Sequence, residues 1–138
     1  MKGYSMNAKI IVVIFGLVFL IPIYAQSQIS LLDTERVKDY LAFSSKQSEK
    51  IIPQIELIKN ILEEDKKILA DLRERFSSGD EPGFFEKINV KRSRNARINQ
   101  IEELLESIVD NLNDPQKIKY KDIKKPALKS LNKKELTE

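Results

Sequence analysis

Apolar residues recur at the spacing of a helix over residues 48–77 of the chain. Successive apolar positions are three, four, seven, three and four residues apart, which places them on one face of an α-helix. They are Ile55, Ile58, Leu62, Leu69, Leu72 and Phe76. The one interruption is Asp65, which stands where the apolar seam would otherwise continue. The pattern therefore predicts a long helix that packs an apolar seam against a neighbour, with a single polar residue inside that seam.

A second helical pattern covers residues 84–113, where the apolar positions alternate between spacings of three and four residues. These positions are Ile98, Ile101, Leu105, Ile108 and Leu112. Upstream of them the same face is polar and carries the basic segment KRSRNAR, residues 91–97. The pattern predicts a second long helix whose first half is more polar than its second half.

The segment SSGDEPG, residues 77–83, separates the two helical patterns and predicts a tight turn. Helices joined by a short turn pack antiparallel, so the numbers of facing residues should add up to about 160. This register places Asp65 opposite the basic segment, whose charge it complements. It also places Phe76 against Phe84 or Phe85.

Two shorter segments flank the pair of helices. Residues 30–47 predict a short N-terminal helix. Residues 114–138 hold eight lysines and four acidic residues and are interrupted by Pro126, which predicts a disordered, Lys-rich tail. The predicted fold is therefore all-α: a coiled-coil-like, antiparallel two-helix hairpin domain over residues 28–113, with a short N-terminal helix and a flexible basic tail.

The first residues have the order of features of a secretory signal peptide. Residues 1–9 are positively charged without an acid, and an apolar run of 16 residues follows at 10–25. Cleavage after Ala25 or Ser27 removes Lys2 and Lys9 and lowers the net charge from +3 to +1. A retained membrane anchor is the alternative, although a spanning helix needs ~20 residues. Both interpretations predict export, to the periplasm, the cell surface or the extracellular space.

The composition excludes several kinds of chemistry. The chain has no cysteine and no histidine, so it lacks a disulfide framework, a thiolate metal site, a cysteine nucleophile and a histidine base. Its four glycines are isolated, so no glycine-rich phosphate loop is present. Neighbouring carboxylates, such as Glu63 with Glu64, lie on charged helical faces. We therefore predict a protein without enzymatic activity, cofactor, metal or small-molecule substrate.

The basic residues are the main candidates for binding a partner. Those of residues 91–97 can pair with acids of the preceding helix or face an anionic partner, and the predicted register leaves Arg92 without an acidic neighbour. The candidate anion or partner contacts are Arg92, Arg94, Arg97, Lys124, Lys125, Lys133 and Lys134. Lysines of the tail suit an anionic membrane or glycan, whereas an exported protein seldom meets nucleic acid, which makes that partner unlikely.

Two functions are compatible with these features. The first is an exported, non-enzymatic cell-envelope protein, a scaffold or accessory subunit, that acts through helix–helix contacts with a protein partner or by self-association. Leu57, Ile61 and Ile68 lie beside the main seam and predict a second apolar face for such contacts. The alternative is a periplasmic or surface binding module, or holdase, whose basic tail and arginines engage acidic proteins, anionic membrane or glycans.

Overall fold

A computed structural model describes residues 28–136 of the protein. The predicted signal peptide, residues 1–27, lies outside the described residues. The elements are α1 Thr34–Leu41, α2 Ser45–Ser78, α3 Phe84–Asp110, α4 Asp114–Tyr120 and a short 3-10 helix, Lys134–Leu136. The described part of the chain contains no β-strand, so the prediction of an all-α fold is confirmed.

The two long helices have clear local start and stop signals. The Ser44 hydroxyl accepts a hydrogen bond from the Gln47 N–H, and the Gln47 side chain accepts one from the Ser44 N–H, which caps the start of α2. Gly79 ends α2 with a φ of 80°, a left-handed conformation that a residue without Cβ adopts readily. The connecting segment is residues 79–83, and α3 begins at Phe84 without a side-chain cap.

α2 and α3 pack against each other more extensively than any other two helices of the described chain. Two sets of ion pairs show their relative direction. Arg75 of α2 binds Glu86 of α3. Asp65 of α2 binds Arg94 and Arg97 of α3. The residue numbers of each contact add up to about 160, which is the relation for helices that run antiparallel from a turn near residue 80.

The hydrophobic core lies at the end of this helix pair that is remote from the turn. We call that end the base, residues 28–61 and 98–125, and the end with the turn the tip, residues 72–92. Side chains from all four helices and the segments beside them are buried in the base. They are Leu31, Val37, Leu41, Ile51, Ile55, Ile58, Ile61, Ile101, Ile108, Leu112, Tyr120 and Ile123. Since buried apolar area drives folding, the base supplies most of the hydrophobic stabilisation.

Two capping boxes interlock inside the base. Asn113 and Gln116 form at the start of α4 the same reciprocal pair that Ser44 and Gln47 form at the start of α2. The two glutamine carboxamides also bind each other, with Nε2–Oε1 distances of 2.7 and 3.1 Å. Gln116 Nε2 further donates to the carbonyl oxygen of Leu41, the last residue of α1, at 2.9 Å. These bonds join α1, α2 and α4 through one partly buried polar network.

The C-terminal segment differs from the predicted flexible tail. Residues 114–136 form α4 and then continue along the molecule, with Tyr120, Ile123 and Leu131 buried. α3 ends at Asp110, and Asn113 with the two residues after it starts α4, because they belong to a capping box with proline in the first turn. Lysines stand between the apolar residues, so the segment has a polar composition although its apolar side chains are buried.

The N-terminal helix is also divided differently from the prediction. The sequence pattern gives one helix over residues 30–47, whereas α1 ends at Leu41 and α2 begins at Ser45. Ala42 has a φ of 51°, a left-handed conformation that stops α1, and Ser44 then caps the next helix. The break allows α1 to pack on both α2 and α4.

Candidate functional site

A buried ionic layer separates the core from the tip. Arg94 Nη1 donates to Asp65 Oδ2, and Arg97 binds Asp65 Oδ1 through Nε at 3.0 Å and Nη2 at 2.9 Å. Arg97 Nη1 also donates to Ser93 Oγ at 2.6 Å, and Arg94 Nε donates to the carbonyl oxygen of Lys129 at 2.6 Å. All three charged side chains are buried. The layer therefore fixes α3 and the C-terminal segment against one carboxylate of α2.

This layer gives two of the candidate arginines an internal partner. Arg94 and Arg97 face α2 rather than solvent, which agrees with the interpretation that the basic segment complements acids of the preceding helix. A single polar residue in an apolar seam also specifies which layers of two helices meet. In this arrangement neither guanidinium group is presented to an external anion.

Lys125, a third candidate, is turned toward the base. Its Nζ donates to the carbonyl oxygens of Tyr120 and Lys121 and lies 4.4 Å from the centroid of the Tyr120 ring. Burial lowers the pKa of Lys125, while the nearby Asp122 acts in the opposite direction. These contacts give the Lys125 ammonium group a structural role at the end of α4.

The other four candidate cations are exposed but lie at different places. Arg92 is on α3 in the tip, Lys124 is in the base, and Lys133 and Lys134 are at the end of the described chain. The backbone of Lys124 forms a parallel bridge with Ser30 while its side chain is exposed. The seven candidate residues therefore do not form one basic patch.

Two adjacent aromatic side chains are exposed in the tip. Phe84 and Phe85, the first residues of α3, expose 72 % and 79 % of their surface. Their rings meet edge to face, with centroids 5.6 Å apart. The predicted packing of Phe76 on one of them is wrong, because both are exposed and the Lys87 ammonium group lies over the Phe76 ring, 5.2 Å from its centroid. Clustered, exposed aromatic residues are characteristic of contact surfaces.

Ion pairs hold the turn beside these rings. Arg75 binds Asp80 at 2.9 Å and also binds Glu86, and Lys87 binds Glu81. The hydrogen bond from Arg75 lowers the pKa of Glu86, and the bonds to Glu86 and Asp80 raise the pKa of Arg75. The charges of the turn are therefore largely neutralised within the tip, whereas the two phenylalanines have no apolar cover.

The outer side of α3 continues from the phenylalanines to two basic residues. Phe85 and Arg92 are seven residues apart, as are Phe84 and Lys91, and seven residues are nearly two helical turns, or about 10 Å along the axis. We call this surface the tip face: Phe84, Phe85, Ile88, Lys91 and Arg92. Ile88 is half-buried and the other four are exposed. Within residues 28–136 no ion pair joins Lys91 or Arg92 to a carboxylate.

The helical phase of α3 contains a signal for this face. Arg94, Arg97 and Ile101 are buried toward α2. Counting back from them along a helix of 3.6 residues per turn places Lys87 on the inner side and Phe85 nearly opposite. The sequence prediction instead packs Phe84 or Phe85 against Phe76 of α2. An aromatic residue out of phase with the buried positions is the feature that identifies the tip face.

A cleft of about 390 Å³ lies on the base, away from the tip face. Its lining residues are Leu105, Glu106, Val109, Asp110, Tyr120 and Lys125. The Tyr120 hydroxyl group is buried without a hydrogen-bond partner in the described chain, and burial raises the pKa of Tyr120 to about 12. The phenol is therefore neutral at physiological pH. Because Lys125 binds backbone carbonyl oxygens, the cleft does not direct its ammonium group toward a ligand.

Within residues 28–136 no helix combines the length and the apolar character that a membrane crossing requires.

The candidate surface is the tip face, which unites exposed aromatic rings with two basic side chains that have no acidic partner in the described chain. No protein-family model, curated protein or solved structure matches the chain.

Proposed function

We propose that this protein is an exported, non-enzymatic component of the cell envelope, a scaffold or accessory subunit whose helices bind another envelope component. The observation that carries the proposal is the exposure of Phe84 and Phe85 at the end of a helix pair. Exposed aromatic neighbours favour aggregation unless a partner covers them, and aromatic residues are enriched at the centres of interfaces. The tip face is therefore the contact surface.

The separation of the two ends supports a linking role. α2 has 34 residues and so extends about 50 Å. Gln28, which directly follows the predicted export segment, lies at the base, where its Nε2 donates to the carbonyl oxygen of Asp122 at 3.0 Å. One component could hold the chain near Gln28, at the base, while another binds the tip. The length of the helix pair would separate these two components.

The sides of the helix pair offer less apolar surface than the tip. Of the three residues expected to form a second apolar face, Ile61 is buried in the core, Ile68 is half-buried and Leu57 is 41 % exposed. That side of α2 therefore presents one exposed apolar residue, whereas the tip presents two in contact with each other. Because burial of apolar area drives association, the tip is the stronger candidate.

A second candidate function is a binding module for acidic partners. The exposure of Lys121, Lys124 and Lys129 favours it, because exposed lysines attract anionic surfaces. The basic surface for such a partner is smaller than the sequence predicts, since Arg94 and Arg97 bind Asp65 instead of facing solvent. Binding of this kind weakens steeply as salt is added, whereas a contact made by two phenylalanines does not.

Thiol labelling in cells tests the first function. The chain has no cysteine, so Phe85→Cys and Ile118→Cys each introduce a single thiol at an exposed apolar position. Ile118 is 67 % exposed in α4 and serves as the matched control at the base. In intact cells we expect a membrane-impermeant maleimide to label the Ile118→Cys variant rapidly and the Phe85→Cys variant about tenfold more slowly, because a partner that occupies most tips blocks the reagent. After purification both variants should react at similar rates.

Two results would overturn this function. If neither variant reacts until the cells are lysed, the chain is not exported. If the Phe85→Cys variant reacts in intact cells as fast as it does after purification, nothing covers the tip. A Leu57→Cys variant separates the tip from the side of α2, which should remain accessible.

A further inference from the structure

We propose that the tip face docks on a phospholipid bilayer that carries anionic headgroups. The inference rests on the proposed function and names the envelope component that covers the tip. It places the membrane contact on α3 in the tip. Lys124 of the C-terminal segment lies in the base, but the segment then runs toward the tip, where Lys134 lines a pocket with Leu72 and Arg73. The supporting observations are the order of residues along α3, the pairing of charges in the turn, and the area of the exposed aromatic patch.

The tip face has the order of groups that an interface between water and lipid requires. The phenylalanines come first along the helix, and Lys91 and Arg92 follow about 10 Å further along. The headgroup layer is roughly 5–7 Å thick on each side of the hydrocarbon core. Rings that enter the boundary of the acyl chains therefore place the long basic side chains at the level of the phosphates, which they can contact by extending along the surface.

The charges of the tip are arranged for approach to an anionic layer. The carboxylates of Asp80, Glu81 and Glu86 are bound by Arg75 and Lys87. Lys91 and Arg92 have no such partner within residues 28–136. Residues 72–92 hold five basic and four acidic residues, so the net charge of the tip is +1, and Lys91 and Arg92 supply the basic groups of the tip face that no carboxylate binds. Basic residues near an anionic bilayer contribute favourable binding energy.

The area of the exposed patch favours lipid over protein as the occupant. A phenylalanine side chain can bury 150–250 Å², so two rings exposed by about three quarters present roughly 300 Å². A stable protein interface covers about 800 Å² on each partner. A bilayer does not require an extended matched surface, because it accepts the rings into an apolar layer and the cations at its surface. The same comparison argues against a tip-to-tip dimer of this chain.

A single tryptophan tests the docking directly. The chain has no tryptophan, so Phe85→Trp places one fluorophore in the tip face, and Ile118→Trp provides a matched exposed control at the base. The protein used is residues 28–138, whose core is formed by residues 31–131, after circular dichroism has confirmed cooperative unfolding. Omitting residues 1–27 removes an apolar segment that would itself bind lipid.

Vesicles of phosphatidylcholine and phosphatidylglycerol should shift the tryptophan emission of the Phe85→Trp variant to shorter wavelength and leave that of the Ile118→Trp variant unchanged. Phe84→Ser with Phe85→Ser should weaken co-sedimentation with these vesicles at least about tenfold, because the inserted apolar area is lost. Lys91→Gln with Arg92→Gln should reduce binding to the mixed vesicles toward that for phosphatidylcholine alone. Both pairs of substitutions are at the surface and should leave the melting temperature nearly unchanged.

Three results would overturn the lipid proposal. One is an emission of the Phe85→Trp variant that vesicles do not change, and another is co-sedimentation that survives both serine substitutions. The third is binding that requires only Lys121 and Lys124, as Lys121→Gln with Lys124→Gln would reveal. If vesicles fail while the thiol of the Phe85→Cys variant is still protected in intact cells, the tip binds a protein, and the proposed envelope function stands without the lipid contact.

Discussion

The base and the tip use the same two helices but are stabilised in different ways. In the base, apolar side chains of all four helices are buried, and Gln47 and Gln116 satisfy each other's hydrogen bonds. Between residues 66 and 93 only Leu72 and Pro82 are buried, and exposed ion pairs hold the turn. The core and the ionic layer therefore hold the helices together. The phenylalanines of the tip contribute little to folding and are available for contact.

The largest decrease in the free energy of unfolding is expected for a substitution in the ionic layer, which lies between the base and the tip. Asp65→Asn leaves the guanidinium groups of Arg94 and Arg97 buried without a counter-charge. Removing one partner from a buried ion pair costs about 3–5 kcal/mol, so the free energy of unfolding should fall by an amount of that order. Urea unfolding of residues 28–138 followed by circular dichroism measures the change.

Asp71→Asn is the matched control, because Asp71 is exposed on the same helix. We expect it to change the free energy of unfolding by less than about 0.5 kcal/mol. Replacing Asp65, Arg94 and Arg97 together by leucine should restore much of the loss, since well-packed apolar groups can substitute for a buried ionic cluster. An Asp65→Asn protein as stable as the control would show that the layer does not hold the two regions together.

A smaller but still substantial effect is expected within the base, at the interlocked capping boxes. Gln116→Leu removes the partner of the Gln47 carboxamide, the Leu41 carbonyl oxygen and the Asn113 N–H. The hydrogen bond to the Leu41 carbonyl oxygen is buried and the other two are partly buried. A buried polar group left without a partner costs about 1–3 kcal/mol, so the midpoint of urea unfolding should decrease accordingly. Gln100→Leu, at an exposed position of α3, is the control. Equal midpoints for the two variants would mean that the glutamine network adds no stability to the base.

The ionic layer could be predicted from the sequence because two signals agree there. Asp65 interrupts an apolar seam, and the hairpin register puts arginines opposite it. The buried seam residues Ile55, Ile58 and Ile101 follow from spacing alone, since a 3.6-residue period defines the inner face of each helix. These features depend on regular geometry over several turns.

The cap of α4 and the exposure of Phe85 depend on contacts between residues distant in sequence, which the spacing of apolar residues does not predict. Asn113 follows α3 and caps α4. The Gln116 side chain, which completes this cap, also binds Gln47 and the Leu41 carbonyl oxygen, and these residues are distant in sequence. The exposure of Phe85 follows from the inward direction of Arg94 and Arg97. A prediction that assigns apolar residues to the core and arginines to the surface reverses both assignments. Two arginines are buried and two phenylalanines are exposed along the same helix, α3.

The smallest effect on stability is expected for the ion pairs that hold the tip. The hydrogen bond from Arg75 lowers the pKa of Glu86 from 4.5. The contribution of the Arg75–Glu86 pair to stability is therefore fully present above pH 4.5 and is lost as the pH falls through the pKa of Glu86 in the folded state. Arg75→Gln should return the Glu86 titration, followed by carbon-13 NMR of the side-chain carboxylate, toward 4.5 with little change in the melting temperature, because exposed pairs contribute little. Arg73→Gln, an exposed neighbour in α2, should leave the Glu86 titration unchanged. A large loss of stability with Arg75→Gln would contradict the contrast between a packed base and a tip that contributes little to folding.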